Sequence, residues 1–270
     1  MSTRRQRGVA LATVLWGIAA LSLIAAAMLS SAVNAVRISR NAWTQVQARS
    51  AADAGVQSVL LSLFDPKGHA PLDGRARHIA WNGADVTVSL QDEMGRIDLN
   101  AAPRDALRDL FKGVGADDPD ALADRVVDWR GSKPMHSLNG ASAADYAQAG
   151  AGYHPRGGPF QSVDELGLVL GVTPDLLARV TPALTVYSHR ADFDMRVAPK
   201  EALLVIPGMS ADNAAAAIAA RGDGVSLDPL AGHAVSITAE AEQGRAHFIR
   251  HAVVLITGDP ARPYWILDWR

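Results

Sequence analysis

The chain contains no cysteine among its 270 residues. Disulfides, thiolate metal sites and a cysteine nucleophile are therefore excluded, and the core must hold without covalent staples. Charge bias is also missing: 26 basic residues stand against 28 acidic ones, so bulk charge implies no polyanion-binding surface. The eight histidines are scattered and form no HExxH or comparable pair. His247 and His251 are four apart, but they lie in a strand-like stretch where that spacing does not make a helical ligand pair. His136 beside Ser137 is a sequence adjacency in a loop and brings no triad with it. Asp92 and Glu93 read as turn residues. No catalytic set emerges, and an enzyme is not predicted.

The remaining absence is local. From Val9 to Val36 there is no acidic or basic side chain. A helix of about 28 residues would be about 42 Å long, enough for a hydrocarbon core of roughly 30 Å. Charges inside lipid cost several kcal/mol each, so their absence over this length has a physical meaning. Arg4, Arg5 and Arg7 precede the run and favour a cytoplasmic N-terminus with the rest of the chain sent across the membrane. A secretory signal peptide would have a shorter apolar core followed by a small-residue cleavage site, whereas this run continues into a helical pattern. Arg7-Gly8 followed by Val9-Ala10-Leu11-Ala12 resembles the prepilin-peptidase site of type IV pilins and pseudopilins. The resemblance implies cleavage between Gly8 and Val9 and methylation of the new Val9 amine; an ordinary single-pass anchor is the alternative.

Beyond Arg37 the pattern turns amphipathic. Ala52, Val56, Val59, Leu60 and Leu63 fall at helical spacing, with Arg49, Asp53, Gln57 and Ser62 between them. Asp65-Pro66 ends the helix. Val86, Val88 and Leu90 alternate, Glu93-Met94-Gly95 reads as a turn, and Ile97 and Leu99 alternate again, which predicts a hairpin over Asp85–Leu99. A long helical region is expected from about Pro103 to Arg221. Period two then returns at Val235, Ile237 and Ala239, with a turn at Gln243-Gly244, a β-rich stretch from His247 to Ile256 and a last strand from Tyr264 to Trp269.

The helical region carries an internal echo. Asp98 to Leu107 and Asp194 to Leu203 both read as a polar cap, Ala-Pro at the first turn, then basic, acidic, Ala, Leu. They lead to glycine hairpins at Gly113-Val114-Gly115 and Pro207-Gly208-Met209. A related unit lies between, with Ser162 as its cap and Gly171-Val172-Thr173-Pro174 as its turn. Three helix-hairpin-helix-like units are thus predicted. Such hairpins in DNA-binding proteins present backbone N–H groups to phosphate, but the second and third lack the second glycine, and Asp117, Asp118 and Asp120 flank the first. The units are therefore read as structural; a membrane-anchored helix-hairpin-helix DNA-binding receptor is the competing class, and an unrelated anchored periplasmic binding protein a third.

Several strings, in order, resemble the K-type minor pseudopilins of type II secretion: Gln47 to Gly55, Asp92-Glu93 through Asn100-Ala101-Ala102-Pro103, Asp128-Trp129-Arg130, Asp145-Tyr146, Gly158 to Leu166, and Leu184 to Ser188. Thr13 fits the same family. Most pilin-like proteins place a glutamate at this fifth mature position to pair with a neighbour's terminal amine, and the K-type typically lacks it. The resemblance implies an α+β fold: a long N-terminal transmembrane and stem helix on an antiparallel, pilin-like sheet, interrupted by a large all-α insertion. It implies a cleaved leader over 1–8, a transmembrane helix over 9–36, stem and first hairpin over 37–99, the insertion over 100–221 and the last strands over 222–270. It further implies a minor pseudopilin that caps the pseudopilus tip and seeds its assembly, in the inner membrane with a periplasmic head. Its partners would be I-, J- and H-type minor pseudopilins and the prepilin peptidase, with secreted substrate or the outer-membrane secretin met by the head, and no nucleic acid. Thr13, Gly17, Ala19 and Ala20 are the candidate residues for membrane-helix assembly, small side chains permitting close approach. Members of the family can bind calcium through an acidic loop after the Trp-containing helix. Here the loop Gly131 to His136 has no carboxylate, leaving Asp128 and Asp145 as weak candidates against the six to eight oxygens that calcium takes.

Overall fold

A computed structural model describes residues 6–65, 71–131, 137–221 and 230–270. The chain opens with α1, Gln6–Leu63, a single helix of 58 residues. No proline interrupts it, and alanine and leucine dominate its first half. At 1.5 Å per residue it is about 87 Å long. Leu11, Leu15, Trp16, Leu21, Leu23 and Met28 are all more than half exposed, whereas Ala48, Ala51, Ala52, Val56, Val59 and Leu60 are buried. One helix thus has two environments. Its first part presents apolar side chains all round to whatever surrounds it, and its last part turns a single stripe into a core.

That stripe lies on a five-stranded sheet of order β1-β2-β5-β6-β7. The strands are β1 (Asp73–Trp81), β2 (Ala84–Asp92), β5 (Ala234–Gln243), β6 (Ala246–Ile256) and β7 (Tyr264–Trp269), each antiparallel to its neighbours. Alternation sends Val86, Val88, Leu90, Ile237, Ala239, Ala252 and Val254 to the helix side. Helix and sheet approach tightly at Gly55: a Cβ there would stand 2.9 Å from Val86 Cγ1 and 3.2 Å from Val88 Cγ2. Asp53 on α1 pairs with Arg250 Nε on β6 at 2.6 Å, and the Arg250 guanidinium lies over Phe248 and Trp269, 5.0 and 5.3 Å from the ring centroids.

The insertion leaves at the end of β2 and returns at the start of β5, two strands that are hydrogen-bonded neighbours, with Asp92 opposite Val235. It contains β3 (Ile97–Asp98), α2 (Arg104–Gly113), α3 (Pro119–Arg130), α4 (Ala143–Gln148), α5 (Pro174–Val180), β4 (Leu184–Thr185), α6 (Lys200–Leu203) and α7 (Ala211–Ala219), with 3₁₀ turns at Glu93–Gly95, Val163–Leu168 and Thr181–Ala183. Its core is separate from that of the head and is built from Leu107, Leu110, Phe111, Val126, Trp129, Tyr146, Leu166, Val180 and Leu203.

Four expectations change in detail. The first hairpin is β1–β2, not Asp85–Leu99. Asn82 (φ 47°) and Gly83 (φ 81°) supply the two left-handed residues that a tight hairpin turn needs. Strand β1, Asp-Gly-Arg-Ala-Arg-His-Ile-Ala-Trp, is an edge with little apolar periodicity, which is why its pattern is silent. Ile97-Asp98 pairs instead with Leu184-Thr185 as a parallel two-stranded sheet, so the insertion is mainly rather than wholly helical. The helices of the 103–221 region are short and separated by irregular chain. Finally, Ser162 makes no side-chain cap. The N-caps of α2 and α6 are Pro103 and Pro199, while Asp98 and Asp194 accept from the N–H groups two residues on, at 2.7 and 2.9 Å, and so close turns ahead of the helices.

Candidate functional site

Two regions have the character of a functional surface: the exposed part of α1 and the insertion with its junction to the head. Gly8 and Val9 lie in the first turns of α1, at side chains outside those described, and Met1–Arg5 lie outside the described residues altogether. Thr13, Gly17, Ala19 and Ala20 are exposed, and no atom lies within 4 Å of the position a Cβ would take at Gly17. Thr13, Gly17 and Ala20 follow i, i+4, i+7 and share one face, while Ala19 is turned about 120° from Thr13. The Thr13 hydroxyl donates to the Ala10 carbonyl at 2.9 Å. It is thus satisfied within its own helix, where a carboxylate at the same place would need a partner.

In the insertion, the ordered strings of the sequence converge. Asn100 accepts from the Phe160 N–H at 2.7 Å and donates to the Phe160 carbonyl at 3.0 Å. Arg130 donates to the Leu99 and Ala102 carbonyls at 2.5 and 2.6 Å. The Trp129 indole donates to Glu165 Oε1 at 2.9 Å, and its ring centroid is 5.7 Å from that of Tyr146 and 6.2 Å from that of Phe160. Tyr146 Oη accepts from the Leu170 N–H at 3.1 Å. Asp98 Oδ2 accepts from the Ser188 hydroxyl at 3.2 Å and the His189 N–H at 2.8 Å. Burial works against ionised Glu165, yet Arg156, the Gln161 N–H and Trp129 hold its carboxyl below the usual range. These residues form an architecture of buried polar anchors, and none is arranged as nucleophile and base.

Asp128 and Asp145 have local duties. Asp128 Oδ1 accepts from the Ser137 N–H and hydroxyl at 3.0 and 2.9 Å. Asp145 closes a capping box on α4, accepting from the Ser142 N–H and hydroxyl, both at 2.7 Å. One turn before Asp128, Asp124 Oδ1 takes Arg104 Nε at 2.7 Å and its Oδ2 takes the Asn139 N–H at 3.2 Å; the Arg104 bond holds the carboxyl below its usual range. Asp124, which sequence reasoning passed over, thus joins Asp128 in binding Ser137 and Asn139. Neither Asp128 nor Asp145 joins two further acidic or histidine ligands among the described residues. Residues 132–136 of the expected calcium loop lie outside the described residues.

Around the Gly113–Gly115 hairpin, Arg104 is paired with Asp120 and Asp124, and Arg108 with Asp105 and Asp109. Those guanidiniums face carboxylates of the same unit, an arrangement that opposes phosphate binding.

The junction with the head was also not legible in the sequence. Gln91 Nε2 donates to the Val197 carbonyl at 2.8 Å, the Asp194 N–H donates to the Met94 carbonyl at 2.7 Å, and Val197 sits in the core of the head. His233 Nδ1 lies 2.7 Å from Oδ2 of fully buried Asp92, tying the departing and returning chain. The bond to Asp92 raises the His233 pKa.

An apolar stem helix on an antiparallel sheet, with a largely helical domain set between two adjacent strands, defines a pilin-like fold. Residues 87–189 match the family described as type II secretion system (T2SS), protein K. The match and the fold together support a likeness of the chain to the K-type minor pseudopilins. Its fold is similar to a solved chain of the GspK-GspI-GspJ complex from the type 2 secretion system of enterotoxigenic Escherichia coli, with a TM-score of 0.60 and 12% identity over 87% of this chain and 98% of that one. A comparison with curated proteins finds no match.

Proposed function

We propose that this chain caps the tip of the type II secretion pseudopilus and seeds its assembly with I- and J-type minor pseudopilins, with an H-type subunit below. The observation that carries this reading is the insertion between β2 and β5, which roughly doubles the head at the end of a stem that any fibre neighbour must lie beside. A further subunit has little room to add ahead of it. Thr13 agrees: with its hydroxyl bonded to Ala10, it offers no carboxylate to a subunit in front. The structurally similar chain comes from a complex with GspI and GspJ, which supports the choice of partners.

The mechanism is mechanical. The precursor enters the inner membrane with its N-terminus in the cytoplasm, and the prepilin peptidase cuts between Gly8 and Val9. The α1 surface, with Leu11, Leu15 and Leu21 more than half exposed, is covered first by lipid and then by partner helices. Packing through Thr13, Gly17 and Ala20 draws those helices together. The head then meets exported protein or the secretin.

Co-expression of the full chain with full-length I- and J-type minor pseudopilins, followed by purification in mild detergent, tests this. A stoichiometric complex is expected, and it should weaken with Gly17→Leu. Failure of the chain to hold either partner under native conditions refutes the reading. Tight DNA binding by the same material that falls steeply with salt would instead favour the receptor class.

A further inference from the structure

The outer face of the sheet, turned away from α1, carries a cluster of metal-ligating side chains. Glu240 and Glu242 are two residues apart on β5 and therefore point to the same side. His247 on β6 stands directly opposite Glu242 in the register, so its side chain joins them. One ligand atom from each of Glu240, Glu242 and His247 can be chosen so that all three lie within 4.8 Å of one another. Among the described residues this is the one such group of three acidic or histidine side chains. On the other flank of β5, Asp85 of β2 is opposite Glu242, and His78 Nδ1 of β1 is 3.9 Å from Asp85 Oδ1.

We propose that Glu240, Glu242 and His247 form a binding site for a divalent transition-metal ion, with zinc the best match to the ligands. The argument is geometric and chemical. Two carboxylates held close on one strand repel each other and gain from a shared cation. An imidazole from the adjacent strand adds a nitrogen ligand, which calcium does not favour and zinc does. Ladder hydrogen bonds fix all three Cα positions, so the site needs only side-chain rotation to close. His247 and Glu240 already touch, and their side chains are about half exposed (46% and 47%), which leaves them free to turn and admit an ion. Three protein ligands around tetrahedral zinc leave the fourth position open to solvent, for water or for a donor from another protein. His78 and Asp85 lie one strand further off and can orient the set from outside. The site is remote in sequence from Asp128 and Asp145 and takes a different class of ion.

Zinc titration of the full chain in detergent micelles tests the site, with melting temperature read in parallel. The wild-type protein should bind one zinc that Glu242→Gln and His247→Ala each weaken at least tenfold, with no such loss in His154→Ala. Zinc should raise the melting temperature of the wild type and not of the two site variants, whose melting without metal should match the wild type because both positions are exposed. Zinc affinity and stoichiometry in His247→Ala and Glu242→Gln equal to those of the wild type would overturn the proposal.

Discussion

At Gly95 a Cβ would stand 2.5 Å from the Val197 carbonyl oxygen and 2.9 Å from the Ala198 nitrogen, both backbone atoms that cannot turn aside. Only glycine lets the 3₁₀ turn lie flat against the returning insertion, so Gly95→Ala should destabilise the head by about 1–3 kcal/mol, measured by denaturant unfolding. His233 acts at the same junction through charge. Its folded pKa is raised above the ordinary 6.5 by its bond to Asp92, so its contribution to stability is complete below about pH 6.5 and is lost as pH rises through the raised value. His251, lowered by burial, has the opposite sign: its contribution holds above the ordinary value and is lost as pH falls below it. The effect of His233→Gln separates the two. The gap in melting temperature between wild type and variant should be widest below about pH 6.5 and close as pH rises through the raised value; a gap independent of pH would show that His233 is not charged in the folded chain.

Among elements, α3 shows how two carboxylates one turn apart fasten the chain that follows. Asp124 and Asp128 lie one turn apart and bind the N–H groups of Asn139 and Ser137. Hydrogen bonds to a charged group contribute roughly 1.5–3 kcal/mol each, so Asp128→Ala should cost about 2 kcal/mol. A calcium chelator should leave the melting temperature of the wild type unchanged, and a fall of several degrees on chelation would show that a calcium ion shares these carboxylates. The sheet elements carry the complementary lesson. Strand β5 shows plain alternation in the sequence because one of its faces meets α1. Strand β1 does not, because it is an edge whose Arg75, Arg77 and His78 keep it from offering an apolar border to another chain.

For the whole molecule, α1 is long and apolar enough to cross a membrane, and its exposed apolar surface calls for a cover of lipid or protein. Intact mass of the membrane form should correspond to a chain beginning at methylated Val9, and Gly8→Val should leave the leader in place. A mature chain beginning at Met1 or Ser2 would count against processing at that bond. The stem and the last three strands were legible in the sequence, since each follows from local pattern: period 3.6 in Ala52–Leu63, period two in Val235–Ala239 and a β-rich composition in His247–Ile256 and Tyr264–Trp269. The K-type strings, too, were visible as strings. What joins them was not. That Asn100 grips Phe160, that Arg130 reaches Leu99 and Ala102, that Ile97-Asp98 leaves the head sheet to pair with Leu184-Thr185, and that Asp92 meets His233 across an entire inserted domain are all contacts between residues far apart in the chain. Local pattern records which side of an element is apolar; which two polar groups share a buried hydrogen bond depends on how the packed elements finally cross, and that was decided only in three dimensions.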